Sequence, residues 1–233
     1  MKTSIILPTY NEKESITELI EVLSLLLEKK GLDFEIIVVD DNSPDGTGAL
    51  VKERYSDSKN ITCIIRKDER GLATAISMGI LNASGDYILL MDTDFNHDPM
   101  QVPDMIGLLS KCDIVSGSRY IAGGGMLGPR YRYWGSYLFN FFIRSTIGLD
   151  TTDNLSGFLA FKKDILKNFD IDKIFCGYGD YCIRFLHRAK QLNLKIIETP
   201  VLYKLRYAGS SKTNFFIHSI EYFLAVIKIK INR

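Results

Sequence analysis

Apolar positions along the chain alternate between short continuous runs and repeats at helical spacing. Ser4-Ile5-Ile6-Leu7-Pro8 is a brief apolar run ended by a proline, the pattern of a buried strand over residues 3–7. Ile16, Leu19, Ile20, Leu23 and Leu27 then share one face of a helix predicted over residues 12–30. Asn11 supplies an N-cap, Glu14 a capping-box acid and Gly31 the stop. A second strand, residues 34–39, is rich in β-branched residues and runs into Asp40-Asp41. Further strands are predicted at 61–65, at 87–91 running into Asp92, at 113–118 and at 195–199. Helices are predicted at 71–83 and 180–193.

Strands that alternate with helices and read as near-continuous apolar runs predict an α/β fold, with a mostly parallel sheet covered by helices on both faces. Ligands of such sheets bind beyond the carboxyl ends of the strands. Here those ends carry Pro8-Thr9-Tyr10-Asn11, Asp40-Asp41-Asn42-Ser43, Asp92-Thr93-Asp94 and Gly117-Ser118-Arg119. No G-x-G-x-x-G follows the first strand and no G-x-x-x-x-G-K-[S/T] occurs, which argues against hydride transfer and P-loop chemistry. Gly123-Gly124-Gly125 has neither the spacing nor the helix start of a phosphate loop, so it reads as a flexible connection.

Composition adds little until its distribution is considered. The 233 residues carry a net charge of +1, which gives no reason to expect a nucleic-acid partner. Positive charge gathers in the C-terminal half, however. Between Arg119 and Leu149 stand Arg119, Arg130, Arg132 and Arg144 with no Asp, Glu or Lys. From Tyr203 onward only Glu221 opposes Lys204, Arg206, Lys212, Lys228, Lys230 and Arg233. An anionic partner on that side is expected. Cys63, Cys112, Cys176 and Cys182 show no C-x-x-C spacing, and no signal-peptide pattern opens the chain, so a reducing cytoplasmic setting is expected.

Two stretches, Trp134–Leu149 and Asn214–Ile231, are the most apolar, yet charged residues or His218 interrupt both before about 18 residues have passed. Each suits an interfacial helix at a membrane surface, and each equally suits a helix docked on the core. The expected organisation is a catalytic domain over residues 1–213 followed by an amphipathic helix over 214–233.

Asp92 and Asp94, two apart at a strand end, place two carboxylates on one side of extended chain. A hard divalent cation takes such oxygens and leaves positions for substrate phosphates. Asn96 and His97 follow closely enough to add a ligand or to orient one. Taken alone, the same aspartates also fit a strand-end turn, a haloacid-dehalogenase-type phosphatase or a nucleotide-binding module without catalysis.

The motifs in order carry more. Ile5-Ile6-Leu7-Pro8-Thr9-Tyr10-Asn11-Glu12, Val38-Val39-Asp40-Asp41-Asn42-Ser43-Pro44-Asp45-Gly46-Thr47, Met91-Asp92-Thr93-Asp94 with His97, Gly117-Ser118-Arg119-Tyr120 and Ser156-Gly157-Phe158 together resemble the inverting family 2 glycosyltransferases, in particular the dolichol-phosphate mannose synthase branch. The resemblance spans residues 3–213. It implies a GT-A (nucleotide-diphospho-sugar transferase) fold and transfer of a sugar, mannose from GDP-mannose in that branch, to a polyprenyl phosphate with inversion.

By that resemblance Pro8, Tyr10, Glu12, Val39, Asp41, Asp92, Thr93, Asp94 and Lys212 bind the nucleotide-sugar. Asp92, Asp94 and Asn96 hold Mg2+ or Mn2+. Arg119, Arg132, Ser136 and Arg206 bind the lipid phosphate, and Asp92, Asp94 and Arg119 serve catalysis. Peripheral attachment to the cytoplasmic face of a membrane follows as an expectation. A transferase acting on a sugar hydroxyl remains the alternative, with Asp180 as its base. Arg184 stands where the mannose-synthase branch commonly has Glu.

Overall fold

A computed structural model describes residues 1–204 and 215–231. In chain order the elements are β1 (Lys2–Thr9), α1 (Ile16–Lys29), β2 (Asp33–Asp40), α2 (Thr47–Arg54), β3 (Ile61–Ile65), α3 (Leu72–Asn82), β4 (Tyr87–Leu90), α4 (Val102–Leu108), β5 (Ile114–Ser118), β6 (Gly125–Met126), α5 (Arg130–Ile147), β7 (Leu159–Lys162), α6 (Ile171–Ile174), α7 (Tyr181–Gln191), β8 (Ile196–Pro200), β9 (Leu202–Tyr203) and α8 (Phe215–Ile231).

Among the described residues the main sheet has seven strands in the order β3-β2-β1-β4-β7-β5-β8, of which β7 alone runs antiparallel to its neighbours. Its reversal matters for function, because the segment that enters β7, Leu155 to Phe158, arrives at the edge where the parallel strands end. The strand is only Leu-Ala-Phe-Lys, too short for its periodicity to announce it, and no sequence expectation covered it. α2 also went unpredicted; only Thr47, Gly48 and Val51 of it are buried, so it has hardly any apolar stripe.

Apolar side chains sort to the two faces of the sheet. Ile5, Leu7, Val38 and Leu89 pack with α1 and α4 on one side. Ile6, Val39, Leu90 and Phe161 pack with α3, α5, α7 and Val226 of α8 on the other. Val226 is fully buried there, so α8 is docked on the same core as the sheet. The expected boundary at 213/214 falls outside the described residues. Among the described residues, no helix is long and apolar enough to cross a membrane.

One boundary differs for a physical reason. α1 starts at Ile16 with Ser15 at the N-cap position, not at residue 12 after Asn11. The backbone N–H groups of Asn11, Glu12 and Lys13 donate instead to Ser43 Oγ at 2.9 Å, Thr47 Oγ1 at 3.0 Å and Asp45 Oδ2 at 3.2 Å. Asn11 adopts the left-handed conformation, φ 55°, that this turn needs. The Asp-Asn-Ser-Pro-Asp-Gly-Thr block thus clamps the β1–α1 loop. Asp40 takes part by accepting from Ser43 N at 2.9 Å and from the Ser43 hydroxyl.

Candidate active site

A cleft of about 530 Å³ opens at the carboxyl ends of β1, β2 and β4. Of the residues that the resemblance assigns to the nucleotide-sugar, Pro8, Tyr10, Glu12, Asp41, Asp92, Thr93 and Asp94 line it. Val39 does not. Its side chain is fully buried among the sheet residues behind the cleft, because alternate residues of β2 face opposite sides and Val39 faces the core.

Asp41 is fixed from three directions. Its Oδ1 accepts from Arg66 Nε at 2.7 Å and from Arg66 Nη2, and its Oδ2 accepts from Gly71 N at 2.8 Å. Arg66 is itself buried and also donates to Thr74 Oγ1 at 2.9 Å and Gly71 O at 2.9 Å. A planar guanidinium with several donors suits this role, since it aligns the carboxylate and compensates its charge. Arg66 belongs to none of the recognised motifs; its one signal was its place directly after the strand 61–65, level with Asp40 and Asp41. Nearby, the Arg70 guanidinium stacks 4.0 Å over the Tyr10 ring at the cleft wall.

The aspartate pair follows the end of β4 rather than lying in it, so alternation along an extended strand is not what brings the carboxylates together. The chain bends after Leu90, and Phe95 takes a left-handed conformation, φ 60°, unusual for an aromatic residue. Asp94 is buried and Asp92 is 46% exposed, and both still face the cleft. Asn96 does not line the cleft. It donates through its backbone N–H (3.1 Å) and its Nδ2 (2.8 Å) to the two oxygens of Asp94. Its contacts orient a carboxylate of the pair.

His97 orients the other aspartate. Its Nδ1 accepts from Asp92 N at 2.9 Å, which leaves the proton on Nε2, 3.1 Å from Ser156 O and 2.8 Å from the Tyr203 hydroxyl. The ring stacks on Phe158 at 4.7 Å. Burial lowers its pKa to about 4, against the opposing influence of Asp94, so it is neutral near pH 7. Both ring nitrogens are engaged within the protein, which excludes His97 as a metal ligand in this arrangement.

Arg119 departs from expectation. It is 7% exposed and absent from the cleft wall. Its Nε and Nη2 grip Asp153 at 2.6 and 2.8 Å, and its guanidinium lies 4.5 Å over Tyr203. Burial disfavours the charge, but the fully buried Asp153 beside it outweighs that and raises the Arg119 pKa. The fork is thus filled by a carboxylate, not presented to an acceptor phosphate. Arg119 joins the aspartates indirectly, through Tyr203 and His97. Asp153 was invisible as its partner because the pair is 34 residues apart.

The remaining expected residues divide. Arg132 and Ser136 sit on α5, Arg132 exposed and Ser136 half-buried. Arg206 and Lys212 lie outside the described residues. Asp180, the candidate base for a hydroxyl acceptor, is buried and does not itself line the cleft, although Gly179 and Tyr181 on either side of it do. It pairs with Arg184 and accepts from Tyr178 N at 3.0 Å.

The model for glycosyl transferase family 2 matches residues 4–169, well over half the sequence. The chain belongs to that family. It is 35% identical over 91% of its length to a dolichol-phosphate mannosyltransferase of Pyrococcus furiosus, and it spans 59% of that relative's length. An undecaprenyl-phosphate mannosyltransferase of Micrococcus luteus is 32% identical over 91% of this chain and 87% of its own. A polyprenol monophosphomannose synthase of Mycolicibacterium smegmatis is 29% identical over 91% and 80%. Among solved structures, glucosyl-3-phosphoglycerate synthase from Mycobacterium tuberculosis, bound to Mn2+, UDP and glucosyl-3-phosphoglycerate, superposes with a TM-score of 0.74. It covers 98% of this chain and 79% of its own at 20% identity, which speaks to fold alone. The fold of this family 2 member is GT-A, as the motifs implied.

Proposed function

We propose that this chain transfers a sugar, mannose from GDP-mannose, onto a polyprenyl phosphate at a membrane surface, with inversion at the anomeric carbon. The observation that carries the reading is the placement of Asp92 and Asp94 in one cleft with Tyr10, Glu12 and Asp41, next to a surface of exposed aromatic side chains. Tyr10 offers a ring to a base, and the Glu12 and Asp41 carboxylates can accept from nucleoside N–H or O–H groups. The names of the mannosyltransferase relatives support the acceptor class and the sugar.

Two carboxylate groups in one cleft fit a divalent cation that takes its other oxygens from a diphosphate and water. Asp92 and Asp94 would hold Mg2+ or Mn2+; when bound, it neutralises charge on the departing nucleoside diphosphate. His97 fixes the backbone at Asp92 and Asn96 holds the Asp94 carboxylate for that task. Asp41, aligned by Arg66, helps fix the nucleoside end, so the anomeric carbon is held in one place.

A phosphate acceptor suits the carboxylates present. The acidic side chains of the cleft wall are Glu12, Asp41, Asp92 and Asp94, all assigned to the donor, while Asp180 is committed to Arg184. A phosphomonoester has its second pKa near ~6 and arrives largely deprotonated near neutral pH, so its oxygen attacks without a base. Arg132, Ser136, Arg206 and Lys212 are assigned to the lipid phosphate and the donor phosphates, while Arg119, gripped by Asp153, acts only indirectly.

Attachment to the membrane falls to α5 and α8. Tyr131, Trp134, Leu138 and Phe141 of α5 are exposed, as are Ile220, Phe223, Leu224 and Ile231 of α8. Phe142 stacks on Phe223 at 5.4 Å, joining the helices into one apolar surface flanked by Lys228 and Lys230. Such a surface lies in a bilayer interface.

The test is direct. Pure protein is offered a panel of nucleotide-sugars with Mg2+ or Mn2+, with and without a polyprenyl phosphate, and the lipid-linked product is read by mass spectrometry. Mannosyl lipid from GDP-mannose is expected. Transfer to free glycans but never to the lipid phosphate would overturn the reading.

A further inference from the structure

α8 reaches the cleft as well as the apolar surface. Tyr222 is part of the cleft wall, beside Tyr178 and Gly179, while its neighbour Phe223 is 46% exposed and stacked on Phe142 of α5. Consecutive residues of one helix therefore face the site and the greasy surface. The helix is held in this pose by Ala225 and Val226, both buried, and by the Tyr222 ring against Phe139 at 6.4 Å. The Tyr222 hydroxyl lies so close over Gly179 that a Cβ on that glycine would come within 2.3 Å of it. Burial, and then the nearby Tyr178, Asp180 and Glu221, push the phenol above its usual range, so it carries its proton at neutral pH and can donate.

We propose that Tyr222 positions the phosphate headgroup of the polyprenyl phosphate by donating its phenolic O–H, and that α8 is in consequence a wall of the catalytic unit rather than a detachable anchor. The assignment rests on the polyprenyl-phosphate reading above. A lipid lying along α5 and α8 has its chain against Phe141, Phe223 and Leu224, and its headgroup then meets Tyr222 where the helix pair borders the cleft. An O–H donor can serve a phosphate oxygen there without adding a charge to the cleft wall.

The experiment compares wild-type protein with Tyr222→Phe in steady-state transfer to a short-chain polyprenyl phosphate. Donor binding is measured separately by calorimetry with GDP-mannose and Mn2+. Losing a hydrogen bond to a charged group should raise KM for the acceptor by about 10- to 100-fold, with donor affinity and the unfolding temperature unchanged. Gly179→Ala should produce the same acceptor defect by driving the hydroxyl aside. Adding Tyr222→Phe to it removes the clashing atom and should cause no further loss.

An acceptor KM within twofold of wild type in Tyr222→Phe would overturn the assignment, as would a defect confined to the donor. If wild-type protein bound no nucleotide-sugar with Mn2+, the functional reading beneath it would fail instead. The two failures are therefore told apart.

Discussion

The two sides of the cleft are built by opposite means. On the side assigned to the nucleoside, Gly71 and Thr74 close a set of hydrogen bonds around the buried Asp41–Arg66 pair, and the loop from Asp40 to Thr47 clamps the start of α1. On the side assigned to the lipid, α5 and α8 meet through aromatic rings and leave Trp134, Phe141 and Ile220 to solvent. A buried polar network stays rigid because every lost partner is costly. An exposed apolar surface is completed only by something apolar from outside. The contrast teaches that the polar wall of the cleft is made in advance, whereas the aromatic surface of α5 and α8 is left open; under the proposed function that surface is the acceptor side, to be completed at a membrane.

The sharpest way to break this picture is at the aspartates. Asp94→Ala should lower kcat by about 10³-fold, since it removes a carboxylate assigned to leaving-group stabilisation. Radiolabelled transfer with saturating donor measures it, and a loss below tenfold would detach this pair from the chemistry. Next in size is Arg66→Ala, which strands the buried Asp41 carboxylate. It should lower unfolding stability by about 3 kcal/mol and abolish detectable nucleotide binding. Chemical denaturation and calorimetry read the two effects. A comparable loss from an exposed cation such as Arg54→Ala would erase the distinction between a preformed network and an ordinary surface pair, since Arg54 meets Glu21 with both side chains about half exposed.

What the sequence made legible follows the same division. The strands at 61–65 and 87–91, the helix at 71–83 and the polar strand ends were readable because each depends on neighbours in the chain. β7 was not, since four residues acquire their strand identity only from pairing with β4 and β5. Pro8, Tyr10, Glu12, Asp41, Asp92, Thr93 and Asp94 were found through motifs and do line the cleft. Arg66 and Asp153 were missed because their meaning lies in partners 25 and 34 residues away. Arg119 was identified from its motif, but burial gave it a carboxylate partner that spacing could not reveal. The Asp40-to-Thr47 block serves as a family motif in which only Asp41 is assigned to binding, and much of the rest acts as a clamp.

The rigid side should also respond to pH. The folded state lowers the His97 pKa from 6.5 to about 4, so between those values the unfolded chain binds the extra proton more readily. Its stabilising contribution is present above pH 6.5 and is lost as pH falls from there through about 4, by at most about 3 kcal/mol. Urea midpoints measured across that window should decline for wild-type protein and decline less for His97→Gln. Equal slopes would mean that the imidazole does not titrate with unfolding.

The smallest effect belongs to the lipid side and tests the contrast from the other direction. Trp134 and Phe141 are 57% and 60% exposed on α5, and Leu25 is 68% exposed on α1, against the opposite face of the sheet. All three are apolar side chains in water, so exposure alone does not separate them. Position does: only the first two lie on α5, the helix that packs against α8. Trp134→Ala and Phe141→Ala should each weaken partitioning onto anionic liposomes by about tenfold, the consequence of losing about 1–2 kcal/mol of apolar burial in the interface. Leu25→Ala should leave partitioning unchanged in the same flotation assay. Equal losses at all three sites would mean that adsorption is nonspecific, and the acceptor site would then have to be completed by the protein itself.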